Sequence, residues 1–350
     1  MIPEWVYQQC PGISDSHREV AAARQSQLTK PTGSLGRLEQ VAIDLAGMQQ
    51  TERPRANNVP IVIFAADHGI AAKGVSAYSQ EVTIAMMANY VSGGAAISVL
   101  ARELGSSLEV VDVGSLAQSP MPGIVTDKPR CGSRDFSEET ALEPADLTFA
   151  LDCGRRAVLR AGEADLFIFG EMGIGNTTAS AAIAASLLGV RAEEVVGNGT
   201  GVDAAGRRKK ARLIDLALDR HGLNPATPPE RILSAVGGLE IAAICGAIIA
   251  AAQRRVPILI DGFIVSVAAL MAARLNPSCR PFLLPSHQSA EQGHILVLQA
   301  VDVQPLISLD LRLGEGSGAA IALPLVRLAC ALHNDMATFE QANVPDRPAG

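Results

Sequence analysis

Aromatic residues and positive charge are both scarce in this chain of 350 residues. Aromatic side chains make up only 3% of the sequence and apolar residues 48%, so the core must be built from Ala, Val, Ile and Leu. Small aliphatic side chains let helices approach a sheet closely, which favours α/β packing. The formal net charge is −7. Because a nucleic-acid-binding protein needs a basic surface, the sequence predicts no nucleic-acid partner.

Closely spaced cysteines and targeting segments are missing as well. The six cysteines are scattered, without the spacing of a zinc site or the density of a disulfide scaffold. They are typical of small core residues in a reducing compartment. The first residues, MIPEWVYQQCPG, show no basic segment followed by an apolar one, and Glu240 interrupts the apolar stretch 233–252. The sequence therefore predicts a cytoplasmic protein with a buried helix at 233–252 and no membrane partner.

Short apolar runs alternate with helical stretches along most of the chain. Ala-rich stretches such as 177–188 and 263–275 predict helices. Continuous apolar strands between helices indicate a parallel sheet that is covered on both faces. The predicted fold is therefore α/β, doubly wound and mainly parallel. The runs with the composition of buried strands are residues 57–66, 108–113, 165–169, 256–260 and 281–284.

Each of these runs ends in glycine, serine or an ionisable side chain. The ionisable residues at or just after the ends of four runs are Asp67, Glu171, Asp261 and His287. Turn chemistry explains the glycines but does not demand the ionisable side chains. In open parallel sheets, ligands bind outside the carboxyl ends of the strands. The pattern therefore predicts one shared site at that edge.

The segment GEMGIGNTT, residues 170–178, follows a predicted strand and opens a predicted helix. Its glycines favour a turn whose backbone N–H groups bind a phosphate at the helix N-terminus. No Lys-Ser/Thr follows, and the Gly-x-Gly-x-x-Gly spacing fails, so neither a Walker loop nor a dinucleotide-binding oxidoreductase is indicated. A mononucleotide phosphate fits better. The alternative is an ordinary helix start that Asn176 or Thr177 caps.

Two further segments are candidates for phosphate binding. GNGTGVD, residues 197–203, precedes Lys209 and Lys210, and lysine is a suitable point charge for a phosphate. The alternative is a solvent loop with a charged helix start. In SHQSAE, residues 286–291, Ser289 is placed to cap the next helix and to donate to an anion. His287 and His294 lack carboxylate or cysteine company, so no metal site is predicted.

Glu315 lies between two glycines in LGEGSG, residues 313–318, just before an apolar helix. A carboxylate held there is partly dry, and desolvation moves its pKa towards the range that suits proton transfer. The alternative is an exposed loop glutamate near a helix N-terminus, where negative charge is favourable. Spacing alone leaves both interpretations open.

Together these segments resemble the nicotinate-nucleotide–dimethylbenzimidazole phosphoribosyltransferase family. The resemblance follows the family order across nearly the whole chain, and GEMGIGNTT and RLGEGSGAA are its most specific parts. The matching stretches are KPTGSLGRLE (30–39), FAADHGI (64–70), SGGAAISVLAR (92–102), GEMGIGNTTASAA (170–182), GTGVDAAG (199–206), VGGLEIAAICGA (236–247), DGFIVSVAAL (261–270), SHQSAEQGH (286–294) and LDLRLGEGSGAA (309–320).

The resemblance implies a large Rossmann-like catalytic domain over residues 56–324 and a small helical domain from residues 1–55 and 325–350. It also implies a homodimer, small-molecule substrates and no metal or other cofactor. Glu315 stands where the family has its catalytic glutamate. The substrate contacts that the resemblance implies are Glu171, Gly173, Gly175, Asn176, Thr177, Gly201, Lys210, Asp261, Ser289, Leu313, Tyr78 and Ala85.

One departure concerns the accepting base. The family often reads EVTAQM where this chain has EVTIAM at residues 81–86, so Ala85 replaces a glutamine of the base pocket. The implied reaction moves the ribosyl phosphate of nicotinate mononucleotide to 5,6-dimethylbenzimidazole. Adenine, benzimidazole and phenolic bases stay open as alternative acceptors. A non-enzymatic nucleotide sensor is a further alternative, against which the retained phosphate turn and Glu315 argue.

Overall fold

A six-stranded parallel sheet forms the centre of the molecule in the computed structural model, which describes residues 2–199 and 201–345. The strand order is β3-β2-β1-β4-β5-β6, and every neighbouring pair is parallel. The predicted α/β fold with a mainly parallel sheet is confirmed. The strands are β1 (Ile61–Ala66), β2 (Leu108–Gly114), β3 (Val125–Thr126), β4 (Phe167–Met172), β5 (Ile258–Ile260) and β6 (Leu283–Pro285).

Helices cover the sheet and join its strands. Short 3-10 helices occupy Glu4–Tyr7, Gly69–Lys73 and Pro277–Phe282, and a small parallel pair joins β7 (His287–Gln288) to β8 (Ile307–Ser308). The α-helices are α1 (Asp15–Gln27), α2 (Arg37–Gln49), α3 (Glu81–Ser92), α4 (Ala96–Leu104), α5 (Pro144–Ala161), α6 (Asn176–Leu188), α7 (Ala192–Val195), α8 (Ala204–His221), α9 (Pro229–Val236), α10 (Leu239–Gln253), α11 (Phe263–Leu275), α12 (His294–Val301), α13 (Ser317–Asp335) and α14 (Phe339–Ala342).

The order of connection reverses between the adjacent strands β1 and β4. The chain runs outward from β1 through β2 to β3, then returns to β4 on the other side of β1. Such a switch point leaves a crevice at the carboxyl ends of the strands, where open α/β sheets bind ligands. Asp67 follows β1, Glu171 lies near the end of β4, and Asp261 follows β5. The topology therefore brings these three acidic residues to one edge.

The boundaries of several elements differ by a few residues from those predicted, and two of the differences are explained by particular residues. The strand predicted at 57–66 begins only at Ile61, because Pro60 has no N–H and the N–H groups of Asn57 and Asn58 donate to Asp165 at 3.0 Å each. The buried helix predicted at 233–252 is two helices, α9 and α10, separated by Gly237 and Gly238. The backbone of Gly237 is extended, and a Cβ there would overlap the Leu233 carbonyl oxygen.

The two ends of the chain pack together beside the sheet. Helix α2 contacts both α1 and α13. The Arg24 guanidinium donates to the carbonyls of His333, Asn334 and Met336, and Leu28 forms an isolated β-bridge with Thr338. Residues 346–350 of the predicted small domain lie outside the described residues. The division into two domains stays a prediction.

Within the described ranges, one helical stretch, Glu81–Leu104, is apolar and long enough by length and composition to cross a membrane, with a mean hydropathy of 1.5. A single stretch of this kind is weak evidence for a membrane span. It is not one continuous helix, because α3 ends at Ser92, before the C-cap residue Gly93 with φ 86°, and α4 begins at Ala96. The turn therefore breaks the stretch into two helices of 12 and 9 residues.

Candidate active site

A cavity of about 780 Å³ opens at the carboxyl edge of β4 and β5. Pockets of this size hold small molecules such as nucleotides. Its wall combines α3, the turn before α6, the start of α11 and the segment before α13. The predicted site residues that line it are Tyr78, Glu171, Gly173, Asn176, Thr177, Asp261, Ser289, Leu313 and Glu315.

Glu315 is held in a strained backbone conformation at the closed side of the cavity. Its φ is 63°, and the flanking Gly314 and Gly316 have φ values of 86° and 77°. The left-handed region costs a residue with a Cβ about 1–2 kcal/mol. The backbone of Glu315 also packs against Gly170, where a Cβ would lie 2.5 Å from the Glu315 carbonyl carbon. Such retained strain at a cavity wall is typical of a functional residue.

The carboxylate of Glu315 is buried but incompletely bonded. The residue is only 6% exposed, and its Oε2 has no hydrogen-bond partner among the described residues. Burial raises the pKa of Glu315 above its usual value, the Tyr90 hydroxyl opposes the rise, and the charge of Asp261 adds to it. A buried acceptor with a free lone pair is suited to receive a proton from a ligand.

Glu171 lies directly beneath the Glu315 loop. Its Oε1 accepts the Glu315 backbone N–H at 3.3 Å, and its Oε2 accepts a hydrogen bond from the Asn176 side chain. Burial raises the pKa of Glu171 well above its usual value, and the negative charge of Asp261 adds to the rise. Glu171 therefore links the Glu315 loop to the first residue of α6.

Asp261 fixes the same loop from the side of β5. Its two carboxylate oxygens accept the backbone N–H groups of Gly316, at 3.1 Å, and of Ala319, at 2.9 Å. These donors belong to the beginning of α13, whose dipole favours a negative charge there. The resemblance placed Asp261 near the ribose or nicotinate. The structure shows it lining the cavity while its oxygens cap α13, and a substrate contact stays a prediction.

The predicted phosphate turn precedes α6, a helix of 13 residues. Gly175 is the N-cap residue with φ 103°, and no side chain within the described ranges caps the helix. The alternative that Asn176 or Thr177 serves as the cap is therefore wrong, since both are helical residues. Gly173, Asn176 and Thr177 line the cavity. The dipole of α6 makes this end a suitable anion site, although the N–H groups of Asn176 and Thr178 donate to the carbonyls of Gly173 and Gly175.

Lys210 supplies a positive charge beside the turn. It lies in α8, is only 1% exposed, and its Nζ donates to Thr177 Oγ1 at 3.1 Å. Burial lowers the pKa of Lys210 to about 8, and the charge of Glu291 opposes that change. Glu291 also accepts the Gly199 N–H at 3.0 Å. Lys210 thus stays mainly protonated at neutral pH within reach of an anion bound at Thr177.

Ser289 and Gly201 differ in their relation to the cavity. Ser289 lines it, but the Ser289 hydroxyl donates to the Leu311 carbonyl at 3.0 Å and does not cap α12, which begins at His294 after Gly293. Gly201 is exposed, with φ 111°, and is not among the residues that line the cavity. A phosphate contact from either residue stays a prediction.

Apolar side chains form the open end of the cavity. Tyr78 and Leu313 line it and are each 59% exposed. From α3, Val82 and Met86 reach the cavity, whereas Ala85 is exposed and is not part of its described lining. The proposed effect of Ala85 on the accepting base therefore stays a prediction.

Tyr90 is a site residue that the sequence did not reveal. It is buried in α3, its hydroxyl has no fully formed hydrogen bond among the described residues, and its pKa is raised well above the usual value by burial and then by the charge of Glu315. In the sequence it is one aromatic residue in an apolar helix, without a local signal. His287, which the sequence placed at a strand end in the shared site, and Glu291, which the sequence singled out only within a motif, also line the cavity.

Within residues 2–199 and 201–345, no group of three His, Cys, Asp or Glu side chains is placed to hold a metal ion. The prediction that the site needs no metal or other cofactor stays a prediction.

Comparison with known proteins identifies the family. A family model described as phosphoribosyltransferase matches residues 10–344. The nicotinate-nucleotide–dimethylbenzimidazole phosphoribosyltransferase of Bradyrhizobium diazoefficiens is 76% identical over 351 residues and covers 100% of both chains. The enzyme of the same name from Pseudomonas putida strain W619 is 54% identical, over 99% of this chain and 100% of its own.

A solved structure agrees with these relatives. The crystal structure of the corresponding phosphoribosyltransferase from Thermus thermophilus matches with a TM-score of 0.90 and 41% identity, over 96% of this chain and 100% of that chain. The TM-score and the sequence identities over the full length of the chain together show that the chain shares the enzyme class of these proteins as well as their fold. The chain belongs to the nicotinate-nucleotide–dimethylbenzimidazole phosphoribosyltransferase family and is a phosphoribosyltransferase.

Proposed function

We propose that the chain transfers the ribosyl phosphate of nicotinate mononucleotide to 5,6-dimethylbenzimidazole, giving α-ribazole phosphate and nicotinate, with Glu315 as the proton acceptor. The observation that carries this proposal is the buried Oε2 of Glu315, which has no hydrogen-bond partner among the described residues, in a cavity that also contains the N-terminal end of α6. A base and a mononucleotide need these two features in one volume. The names of the full-length relatives agree with this substrate pair.

The donor places its phosphate at the turn before α6. The N-terminal end of α6, Thr177 and Lys210 then surround the anion with one formal positive charge and a favourable dipole. The pyridinium at C1′ is already a good leaving group, so its departure needs no acid. The electrons of the breaking C1′–N bond neutralise the pyridinium ring, and positive charge develops at C1′.

The acceptor attacks C1′ with one ring nitrogen while the other ring nitrogen carries a proton. Glu315 accepts that proton, which makes the attacking nitrogen more nucleophilic and holds the ring in register. The negative charge of Asp261, which lines the same cavity, favours the developing positive charge. Attack from the face opposite the leaving group inverts C1′, so a β-linked donor gives an α-linked product. Holding both reactants in one cavity supplies much of the remaining acceleration.

The test is release of nicotinate from nicotinate mononucleotide in the presence of dimethylbenzimidazole. We expect turnover by the parent protein and a loss of about 10²–10⁴-fold in kcat for Glu315→Gln, which keeps the size of the side chain but removes its basicity. Donor binding to this variant, measured by calorimetry, should stay close to that of the parent.

Other outcomes separate the competing functions. Near-normal turnover by Glu315→Gln would remove Glu315 from the proton-acceptor role. Binding of the nucleotide by the parent without turnover indicates a sensor, and a change in nicotinamide absorbance indicates hydride transfer. Running the same assay with adenine, benzimidazole and a phenol in competition, for the parent and for Ala85→Gln, identifies the preferred base.

We further propose a homodimer located in the cytoplasm. Tyr78 and Leu313 support the dimer, because large apolar side chains exposed around a cavity mark an interaction surface. All six cysteines are free, which agrees with a reducing compartment.

A further inference from the structure

The hydroxyl of Thr83 joins two parts of the cavity wall that are far apart in the sequence. Thr83 lies in the first turn of α3 and is fully buried. Its Oγ1 donates to Asp67 Oδ1 at 2.7 Å and accepts the backbone N–H of Ile174 at 3.3 Å. Because a hydroxyl has one proton, these two bonds fix its orientation. Ile174 is the central residue of the turn before α6, so Thr83 holds that turn directly.

Asp67 is committed to this connection. The residue is buried at the end of β1 and does not line the cavity. Its Oδ1 accepts the Thr83 hydroxyl, and its Oδ2 accepts the Leu116 N–H at 2.9 Å. Both oxygens of the carboxylate are therefore used to fix neighbouring elements. A buried carboxylate without such bonds would be costly, and these two hydrogen bonds offset that cost for Asp67.

The same end of β1 supports the turn from below. A Cβ on Gly173 would overlap the Ala66 carbonyl oxygen, and a Cβ on Gly175 would lie 3.0 Å from His68 Cβ. The backbone of the turn therefore rests directly on residues 66–68. The Thr83 hydroxyl adds a bond from the side, so the turn is fixed in two directions.

Helix α3 is fixed by the same group of contacts. Gln80, just before α3, donates to the His68 carbonyl at 3.0 Å. Val82, beside Thr83, and Met86 line the cavity. The spacing between the turn and the α3 wall is therefore set by residues that do not themselves touch the cavity.

We propose that Thr83 and Asp67 are positioning residues that set the turn at residues 173–175 for the phosphate of the donor nucleotide. This inference rests on the function proposed above. The phosphate is remote from C1′, where bonds form and break. Loss of the Thr83 hydroxyl therefore weakens binding of the donor by the same amount in the ground state and in the transition state. Such a loss raises KM for the donor and leaves kcat unchanged.

The experiment compares Thr83→Val, which removes the hydroxyl while keeping the shape, with Thr83→Ser, which keeps it. Thr83→Ala is a second hydroxyl-free variant whose side chain suits a helix if the valine variant does not fold. Thr148→Val, near the start of α5, is the matched control for a threonine-to-valine change early in a remote helix. Each variant is measured for nicotinate mononucleotide binding by calorimetry, for kcat and KM, and for thermal melting.

We expect the hydroxyl-free variants to raise Kd and KM for nicotinate mononucleotide about tenfold with kcat within about twofold of the parent. Thr83→Ser and Thr148→Val should bind like the parent. A lower melting temperature with unchanged donor binding would show a merely structural role and overturn the inference, as would equal weakening by serine and valine. A parent that binds the donor without turnover refutes the proposed function alone, because the binding comparison still applies. A parent that binds no donor refutes both.

Discussion

Glu171 is a buried acidic residue of the described cavity wall, only 5% exposed. Its neighbours Asp261 and Glu315 are acidic too, and the raised pKa of Glu171 means that the folded state binds its proton more tightly than the unfolded chain does. The folded protein therefore loses stability as the pH rises from the ordinary glutamate pKa of 4.5 towards the raised value, because the ionised form is disfavoured only in the folded state. Glu171 therefore lowers the stability of the folded protein at neutral pH, while its two hydrogen bonds hold the Glu315 loop and Asn176 in place.

Glu171→Gln should for this reason raise the free energy of unfolding at pH 7 and flatten its decline above pH 4.5. The amide oxygen can accept the Glu315 N–H, and Asn176 can turn its own amide to accept from the new NH₂ group. Urea unfolding at a series of pH values measures the effect. Glu19→Gln, at an exposed position of α1, is the control and should change little. A Glu171→Gln variant that is less stable than the parent at pH 7 would contradict this account of the site.

His68 and Glu240 form a buried pair that lies outside the described lining of the cavity. His68 Nε2 and Glu240 Oε1 are 2.6 Å apart, and both side chains are fully buried. A Cβ on Gly238 would overlap the ring of His68, so this glycine is needed for the ring to fit. The pair connects the end of β1 to the N-terminus of α10, directly behind the turn before α6.

At the scale of elements, α5 and α10 pack so closely that a side chain at either of two contact glycines would overlap the backbone of the other helix. A Cβ on Gly154 of α5 would overlap the Ala243 carbonyl oxygen, and one on Gly246 of α10 would overlap the Leu151 carbonyl oxygen. Both overlaps are with backbone atoms, which cannot rotate away as a side chain can. Helix α10 also contacts β1, β2 and β4, so its position sets the back of the sheet.

Replacing either glycine by alanine should lower the free energy of unfolding by about 1–3 kcal/mol, because the helices must move apart to admit the methyl group. Urea denaturation at a fixed protein concentration measures this change. Gly12→Ala is the control, since nothing lies within 4 Å of the added methyl group, and it should stay within about 0.5 kcal/mol of the parent. Equal stabilities of the Gly154→Ala and Gly12→Ala variants would show that this glycine contact does not set the distance between α5 and α10.

The strands and helices show which parts of the fold and of the site the sequence predicts. Apolar runs identified all five longer strands, and their ends located Asp67, Glu171 and Asp261, because the carboxyl ends of parallel strands share an edge. The two-residue strand β3 has no such run. Thr83 and Tyr90 were not predicted either, since α3 joins the site only through tertiary packing. Their contacts, to Asp67 and Ile174 for Thr83 and to Glu315 for Tyr90, come from distant segments.

At the scale of the whole molecule, the core is one continuous apolar cluster. It runs from Trp5 and Leu45 through the sheet to Cys330. The two chain ends therefore contribute to the same core as the central strands. The cavity lies at the carboxyl edge of the sheet, and some of the large apolar side chains that remain exposed lie at its mouth.

Those exposed side chains are the basis of a prediction about assembly. Tyr78, Leu309 and Leu313 are more than half exposed, at or next to the mouth of the cavity. Closed two-fold dimers are the commonest assemblies of soluble proteins, and an interface at this mouth would remove the apolar surface from water. We therefore expect light scattering to give twice the 36.5 kDa mass of one chain.

Leu309→Lys should weaken this dimer, because a charge in the interface must be desolvated, and the dissociation midpoint should move to a concentration at least about tenfold higher. The control is Leu159→Lys, at a leucine that is also more than half exposed. Leu159 lies near the end of α5, the helix that leads into the start of β4, and is therefore at the opposite edge of the sheet. Sedimentation at a series of concentrations compares the two variants with the parent. A monomeric parent at micromolar concentration would contradict the predicted dimer. A dimer weakened by Leu159→Lys and not by Leu309→Lys would place the interface at the other edge, away from the cavity.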